Sequence, residues 1–187
     1  TYMAGETCYY FPCAIFCREQ YRKGAFGKFV YGEAQYYHDM ATFYYAFAAS
    51  GGKDWKRVAG IPPMYYGTHS TSMILSATDQ YVKKVSCMGY RDSHEDGVFG
   101  EGKNNWDNPF SNETALMELS GGGIARINEF RRAGIPHKPS SYITCFYGDK
   151  CGYEGSVTQH VFIKGTPSGV DDTRIDYVSD LLNTNTY

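Results

Sequence analysis

The sequence predicts an α+β fold, a large open, mainly antiparallel sheet with helices packed on one face. Three observations predict it. The periodic segments run helix, strand, two short helices, then mostly strands, an order that sets helices against one side of an antiparallel sheet. Glycine-rich turns, Gly121-Gly122-Gly123 and Gly148-Asp149-Lys150, each separate two strand-like runs. No internal repeat interrupts that order. At 187 residues the chain is expected to form one domain, residues 1–187, with ample length to bury a core.

The first helix is expected from Phe11 to Lys23. Pro12 suits its first turn, and Ala14, Ile15, Phe16 and Tyr21 supply the apolar positions. Arg18, Arg22 and Lys23 lie toward the end where the helix dipole favours cations, and Gly24 and Gly27 end it. From Lys28 to Tyr37 the pattern alternates, which places Tyr36 with His38 on one face and Gln35 with Tyr37 on the other. Asp39 then caps a short helix, Met40 to Ala49. Gly51 to Pro63 reads as a loop carrying Trp55, Lys56 and Arg57, and a second short helix runs from His69 to Ala77.

Tyr81 to Tyr90 reads as a strand, and Arg91 to Asn112 has no periodicity. A loop of about 20 residues inside a compact domain is usually functional or disordered, and its Trp106 and asparagines point to a substrate-covering role. Thr114 to Leu119 and Ile124 to Phe130 form one hairpin, Ser141 to Tyr147 and Cys151 to Ser156 another, and Gln159 to Ile163 a further strand. The tail from Val170 is expected to hold a helix, Ile175 to Leu182.

Net charge is −2, and lysines and arginines form no long cluster, so no nucleic-acid partner is expected. No apolar run reaches the roughly 18 residues that span a bilayer, so no membrane partner is expected either. The chain opens Thr-Tyr-Met-Ala-Gly, with neither an initiator Met nor a signal sequence, which reads as a fragment or a processed product. Cys13 and Cys17 stand one turn apart, but no His lies near them in sequence. All six cysteines are read as buried free thiols of a reducing compartment, with no metal site.

Two aromatic–imidazole clusters stand out. Tyr65-Tyr66-Gly67-Thr68-His69-Ser70 lies where a loop enters a helix, beside unpaired backbone N–H groups. Tyr36-Tyr37-His38-Asp39 closes the first strand. Together they point to a site that handles protons and hydroxyls. His94, His137 and His160 have polar neighbours and read as surface residues. Glu101, Asp107 and Glu113 read as solvated charges, and Arg126, Arg131 and Arg132 as strand-face residues at an interface or in solvent.

The order and spacing of several segments resemble the C-terminal domain of the glucose–fructose oxidoreductase, inositol dehydrogenase and rhizopine-catabolism family. These are Gly24-Ala25-Phe26-Gly27-Lys28, the strand Gly32 to Asp39, Trp55-Lys56-Arg57, Tyr66-Gly67-Thr68-His69, and Asn108-Pro109-Phe110 before the hairpin. The resemblance covers roughly residues 5 to 165, and its nearest branch is the NAD-dependent α-N-acetylgalactosaminidase-like one. It implies the substrate-binding and oligomerisation half of an NAD(P)-dependent sugar or polyol oxidoreductase. NAD or NADP would be held mainly by an N-terminal Rossmann domain absent from this chain, which shows no G-x-G-x-x-G after a strand.

The resemblance assigns His69 as the general base, Tyr36, Arg57 and Tyr66 as substrate-binding residues, and His38 and Asp39 as neighbours of the cofactor's nicotinamide end. It implies a carbohydrate or polyol substrate and a homo-oligomer built through the sheet face. It places the protein in the cytoplasm, or in the periplasm if a signal precedes the chain. Many of the family's dehydrogenases carry an Asp four residues from this His, where this chain has Tyr65 and Met73. That departure leans toward a glycosidase acting by transient oxidation. A non-catalytic binding or self-association module is the other alternative.

Overall fold

The computed structural model describes residues 5–134, 143–156, 159–165 and 174–182. After a 3-10 turn at Thr7–Tyr10 come helix α1 (Pro12–Arg22) and strand β1 (Phe29–Tyr37). A helical segment follows, with α2 (Tyr44–Gly51), α3 (Trp55–Ala59) and α4 (Gly67–Thr78). Six strands come next: β2 (Val82–Arg91), β3 (Phe110–Leu119), β4 (Ile124–Phe130), β5 (Ile143–Gly148), β6 (Cys151–Gly155) and β7 (His160–Lys164). The edge strand β8 (Arg174–Tyr177) and the short helix α5 (Ser179–Leu182) complete the described chain. The fold is α+β, as the sequence predicts.

All eight strands form one open sheet in the order β2-β3-β4-β1-β5-β6-β7-β8. Every neighbouring pair is antiparallel except β1 and β4 at its centre, which run parallel. That exception matters most for the site. A parallel partner requires a long crossover, and here the crossover holds the helical segment and the β2–β3 pair. It brings the C-terminal ends of β1 and β4 to the same end of the sheet.

Local chemistry accounts for the elements. Pro12 stands in the first turn of α1, whose missing N–H costs nothing there. Gly24 and Gly27 have φ of 73° and 70°, a region that favours glycine, and they turn the chain into β1. Helix α4 packs on β1 and β4, where Gly32, Ala34 and Ala125 keep the sheet surface low. An added Cβ at Gly32 would stand 3.1 Å from Ile74 Cδ1. The core is aromatic: Phe146 meets Phe26 at 4.7 Å and Phe29 at 4.8 Å between ring centroids, with Met73, Ile74 and Leu119 fully buried beside them. The opposite face of the sheet stays open, with Met88 80 % and Leu116 50 % exposed. No helix among the described residues is long and apolar enough to cross a membrane.

Several expectations are corrected. Trp55-Lys56-Arg57 is not loop but the single helical turn of α3, too short to show periodicity and anchored by buried Ala59. The tail forms strand β8 before α5, because Ile163 and Ile175 pair across an antiparallel edge and Val178 N–H donates to the His160 carbonyl. Cys87 is exposed and Cys151 half-buried, while the other four thiols are buried. His160 is half-buried, with Nδ1 2.6 Å from Tyr153 Oη, and burial lowers its pKa. His137, Ser141, Tyr142 and the tail's start at Val170 lie outside the described residues.

The long loop between β2 and β3 owes its shape to its asparagines. Asn104 donates to the carbonyls of Val98 and Asn108, and Asn108 donates to those of Gly60 and Phe110. Those side chains satisfy buried backbone carbonyls. The composition that suggested a substrate cover therefore serves the loop's own architecture.

Candidate functional site

The site lies where β1, β4 and α4 meet. Alternation along β1 puts Tyr36 and His38 on the helix-bearing face, with Tyr36 Oη 2.8 Å from His38 Nδ1. The same alternation at the end of β4 puts Glu129 and Arg131 on that face, and Tyr36 is the register partner of Glu129. Backbone bonds continue the pairing beyond the strands, from His38 N–H to the Phe130 carbonyl and from Met40 N–H to the Arg131 carbonyl. The 3-10 turn Pro63–Tyr66 delivers Tyr66, and the first turn of α4 delivers His69 and Ser70.

The three predicted rings converge. His69 lies 4.5 Å from Tyr36 and 6.0 Å from Tyr66, centroid to centroid. Its Nδ1 is 2.6 Å from a Glu6 oxygen, 63 positions away in sequence. With a carboxylate as acceptor, Nδ1 carries the proton and Nε2 is left as the basic nitrogen. Burial alone would raise the Glu6 carboxyl, but hydrogen bonds from His69 and from Cys8 N–H outweigh it and hold the carboxyl below its ordinary value. Glu6 thus gives His69 a carboxylate partner from a distant part of the chain. Of the two positions four residues from His69, Tyr65 is exposed and Met73 is in the core.

Beneath the rings sits a buried ion pair of Arg131, which the sequence assigned to an interface or solvent, with Glu129. Arg131 is 1 % exposed and Glu129 fully buried, with Arg131 Nη2 3.2 Å from Glu129 Oε2. The guanidinium lies over the faces of Tyr66 and Tyr36, 4.5 and 5.0 Å from their centroids. Ser70 donates to Glu129 through Oγ at 2.6 Å and through its N–H at 3.4 Å. Burial pushes the Glu129 carboxyl up to about 7, against those hydrogen bonds and the charge of Arg131. Burial likewise lowers Arg131, against the attraction of Glu129.

A pocket of about 320 Å³ opens here, lined by Tyr36, His38, Met40, Phe43, Phe47, Tyr66 and Arg131 among others. His69 does not line this pocket, although its ring neighbours Tyr36 and Tyr66 do and its side chain is 23 % exposed. Arg57 is not part of the pocket lining; it is exposed on α3, with Nε donating to Asn105 Oδ1. Asp39 is a cap, its carboxylate accepting from Ala41 N–H, and it does not line the pocket. A larger hollow of about 460 Å³ involves Tyr31, Glu33, Tyr147 and Glu154. Its carboxylates already accept from those tyrosines, and Arg126 is paired with Glu33. The smaller pocket is therefore the one with reactive groups to offer.

Glu6, Cys8 and His69 each bring one possible ligand atom within 4.8 Å of the others. Burial pushes the Cys8 thiol far above its ordinary value, and the Glu6–His69 hydrogen bond already pairs the other two groups. Glu6, Ser70, Glu129 and Arg131 were all missed as site residues. The only signal in the sequence is the spacing Glu129-x-Arg131 at a strand end, which means something only once β4 is known to lie beside β1.

No protein-family model matches the chain, and no curated protein matches it. Solved structures are similar in fold. One is an oxidoreductase from Agrobacterium radiobacter in complex with NAD+, L-tartaric acid and magnesium, with TM-score 0.63 and 13 % identity over 93 % of this chain and 45 % of that one. Another is an inositol dehydrogenase homolog from Azotobacter vinelandii with NADH and myo-inositol, with TM-score 0.56 and 17 % identity over 91 % of this chain and 40 % of that one. A third is a levoglucosan dehydrogenase with NADH, with TM-score 0.57 and 12 % identity over 89 % and 44 %. The chain spans less than half the length of each. At these identities the likeness is one of fold: the α+β sheet and helical layer of this chain are shared with part of these larger oxidoreductase structures.

Proposed function

We propose that the chain is the substrate-binding and self-association half of an NAD(P)-dependent sugar or polyol oxidoreductase. The observation that carries this reading is the Glu6–His69 pair set beside Tyr36 and Tyr66 at the shared end of β1 and β4. NADH with myo-inositol in one structural neighbour and NADH with levoglucosan in another support the reaction class. The partial span supports a cofactor lobe outside this chain. The described residues fit the dinucleotide only as one wall. His38 lines the pocket, whereas Gly121-Gly122-Gly123 is a hairpin turn against Gln80 rather than a phosphate cradle.

When bound, the cofactor supplies the hydride acceptor. His69 Nε2 takes the proton of the substrate hydroxyl, and Glu6 accepts from Nδ1–H and stabilises the imidazolium that forms. Tyr36 and Tyr66 orient neighbouring hydroxyls. The open sheet face, with Met88 and Leu116 exposed, is the self-association surface.

The test is His69→Ala in the intact protein, followed by reduction of NAD or NADP with a panel of sugars and polyols. The expected loss is about 10²–10⁴-fold with the circular dichroism unchanged. Undiminished turnover removes His69 from the mechanism. Assaying the same proteins on aryl glycosides, with and without NAD, separates net oxidation from hydrolysis by transient oxidation.

A further inference from the structure

The apolar part of the pocket has no place in the chemistry assigned to His69. Phe43, Ala46 and Phe47 line it, from the 3-10 turn Met40–Phe43 and from α2. A helix without a charged face is normally covered. Residues 41–52 carry no charge, yet α2 has no fully buried residue, so this apolar surface stays accessible. The polar groups of the lining are largely engaged already. Tyr36 Oη lies 2.8 Å from His38 Nδ1, Ser50 Oγ donates to the Ala46 carbonyl at 2.9 Å, and the buried Arg131 is paired with Glu129. The Tyr66 hydroxyl makes no hydrogen bond to the described residues and is left to meet a ligand. A bare polyol in this pocket would leave most of its hydroxyls without partners, at a cost for each, whereas an apolar ring has no such groups to strand.

Tyr36 and Tyr66 belong to both places. Their rings flank His69, at 4.5 and 6.0 Å between centroids, and they also line the pocket. We propose that the pocket is a subsite for an apolar, ring-sized substituent of the substrate, so that the substrate is an aryl or alkyl glycoside, or a polyol substituted in the same way, rather than a bare sugar. The inference rests on the oxidoreductase reading and deepens it by naming the substrate class. The sugar meets His69 beside the two tyrosines, and the substituent continues past them against Phe43, Ala46 and Phe47. The tyrosines suit that junction, since each presents an apolar face and a polar tip. The cofactor is a poorer occupant. Pockets that enclose a whole ligand run from about 300 to 1,000 Å³, so a pocket of about 320 Å³ is too small for a dinucleotide. The nicotinamide carboxamide alone would bring polar atoms to groups that are already paired.

Binding of matched ligands tests this. Isothermal calorimetry on the intact protein compares the methyl and phenyl glycosides of D-glucose, D-galactose and N-acetyl-D-galactosamine, each as both anomers, with NAD+ absent and saturating. For at least one sugar the phenyl glycoside should bind about tenfold to a hundredfold more tightly than its methyl counterpart. Saturating NAD+ should leave that ratio intact. Ala46→Asp places a charge in the exposed wall of the pocket without removing a packed side chain. It should bring the ratio close to one, with methyl glycoside affinity and circular dichroism unchanged. Phe47→Ala should lower the ratio as well. Equal affinities within every methyl–phenyl pair, or no detectable binding of any phenyl glycoside, would overturn the proposal. So would a ratio that Ala46→Asp leaves unchanged, which puts the ring elsewhere, or one that saturating NAD+ abolishes, which gives the pocket to the cofactor. His69→Ala should keep the phenyl preference while losing turnover, so failure of the base assignment and failure of the subsite give different results.

Discussion

Glu129→Gln tests whether the buried pair behaves as the structure implies. Glu129 has no exposed surface, and burial moves its carboxyl from 4.5 to about 7. Between those values the folded protein holds a proton that the unfolded chain has released. The contribution is therefore fully present below about pH 4.5 and is lost as pH rises through about 7. At about 1.4 kcal/mol for each pH decade, the interval is worth about 3 kcal/mol, most of it between about pH 5 and pH 8. Gln keeps the size and can still accept from Ser70, but it does not titrate. Glu6 and Asp96, whose carboxyls are held low, act in the opposite direction and are common to both proteins, so they cancel in the comparison. Urea unfolding of the wild type and the variant at both pH values gives the difference of differences. The wild type should lose about 3 kcal/mol relative to the variant on going from acid to alkali. Parallel profiles, or a wild type that gains on the variant as pH rises, would show that Arg131 keeps Glu129 ionised throughout and that desolvation is not dominant.

Other expectations follow from the same structure. Phe146→Ala, which removes a fully buried ring packed on Phe26 and Phe29, should cost about 3–5 kcal/mol by chemical denaturation; a loss under about 1 kcal/mol would contradict the packing described. Gly148→Ala would press a Cβ onto the Phe26 carbonyl and should destabilise by about 1–3 kcal/mol, measured in the same way. Met88→Glu places a charge on the open sheet face and should lower the mass seen by light scattering without changing the circular dichroism, and an unchanged mass would remove this face from self-association.

Much of the architecture is written locally. Pro12 and Gly24 bound α1, Asp39 caps the turn after β1, and the glycine runs set the β3–β4 and β5–β6 hairpins. Each signal acts within a few residues, through dihedral preference, a side-chain cap or alternation, so reading along the chain is enough to find it. The pairing of Tyr36 with His38 on one face was legible for the same reason, and so was a helix beginning beside His69. The tail was misread because strand pairing with β7, a partner some distance away in sequence, overrode local helical spacing.

By itself the sequence determined most of the elements, all but α3 and β8, and the three rings worth watching. Only the tertiary structure decided which charged groups join those rings. Glu6 reaches His69 across 63 positions, and Arg131 and Glu129 become buried companions of Tyr36 because β4 lies parallel to β1. Parallel register between distant segments leaves no local mark, since it is settled by which burial satisfies the whole sheet at once. A carboxylate or guanidinium reads as a surface charge until that register places it inside.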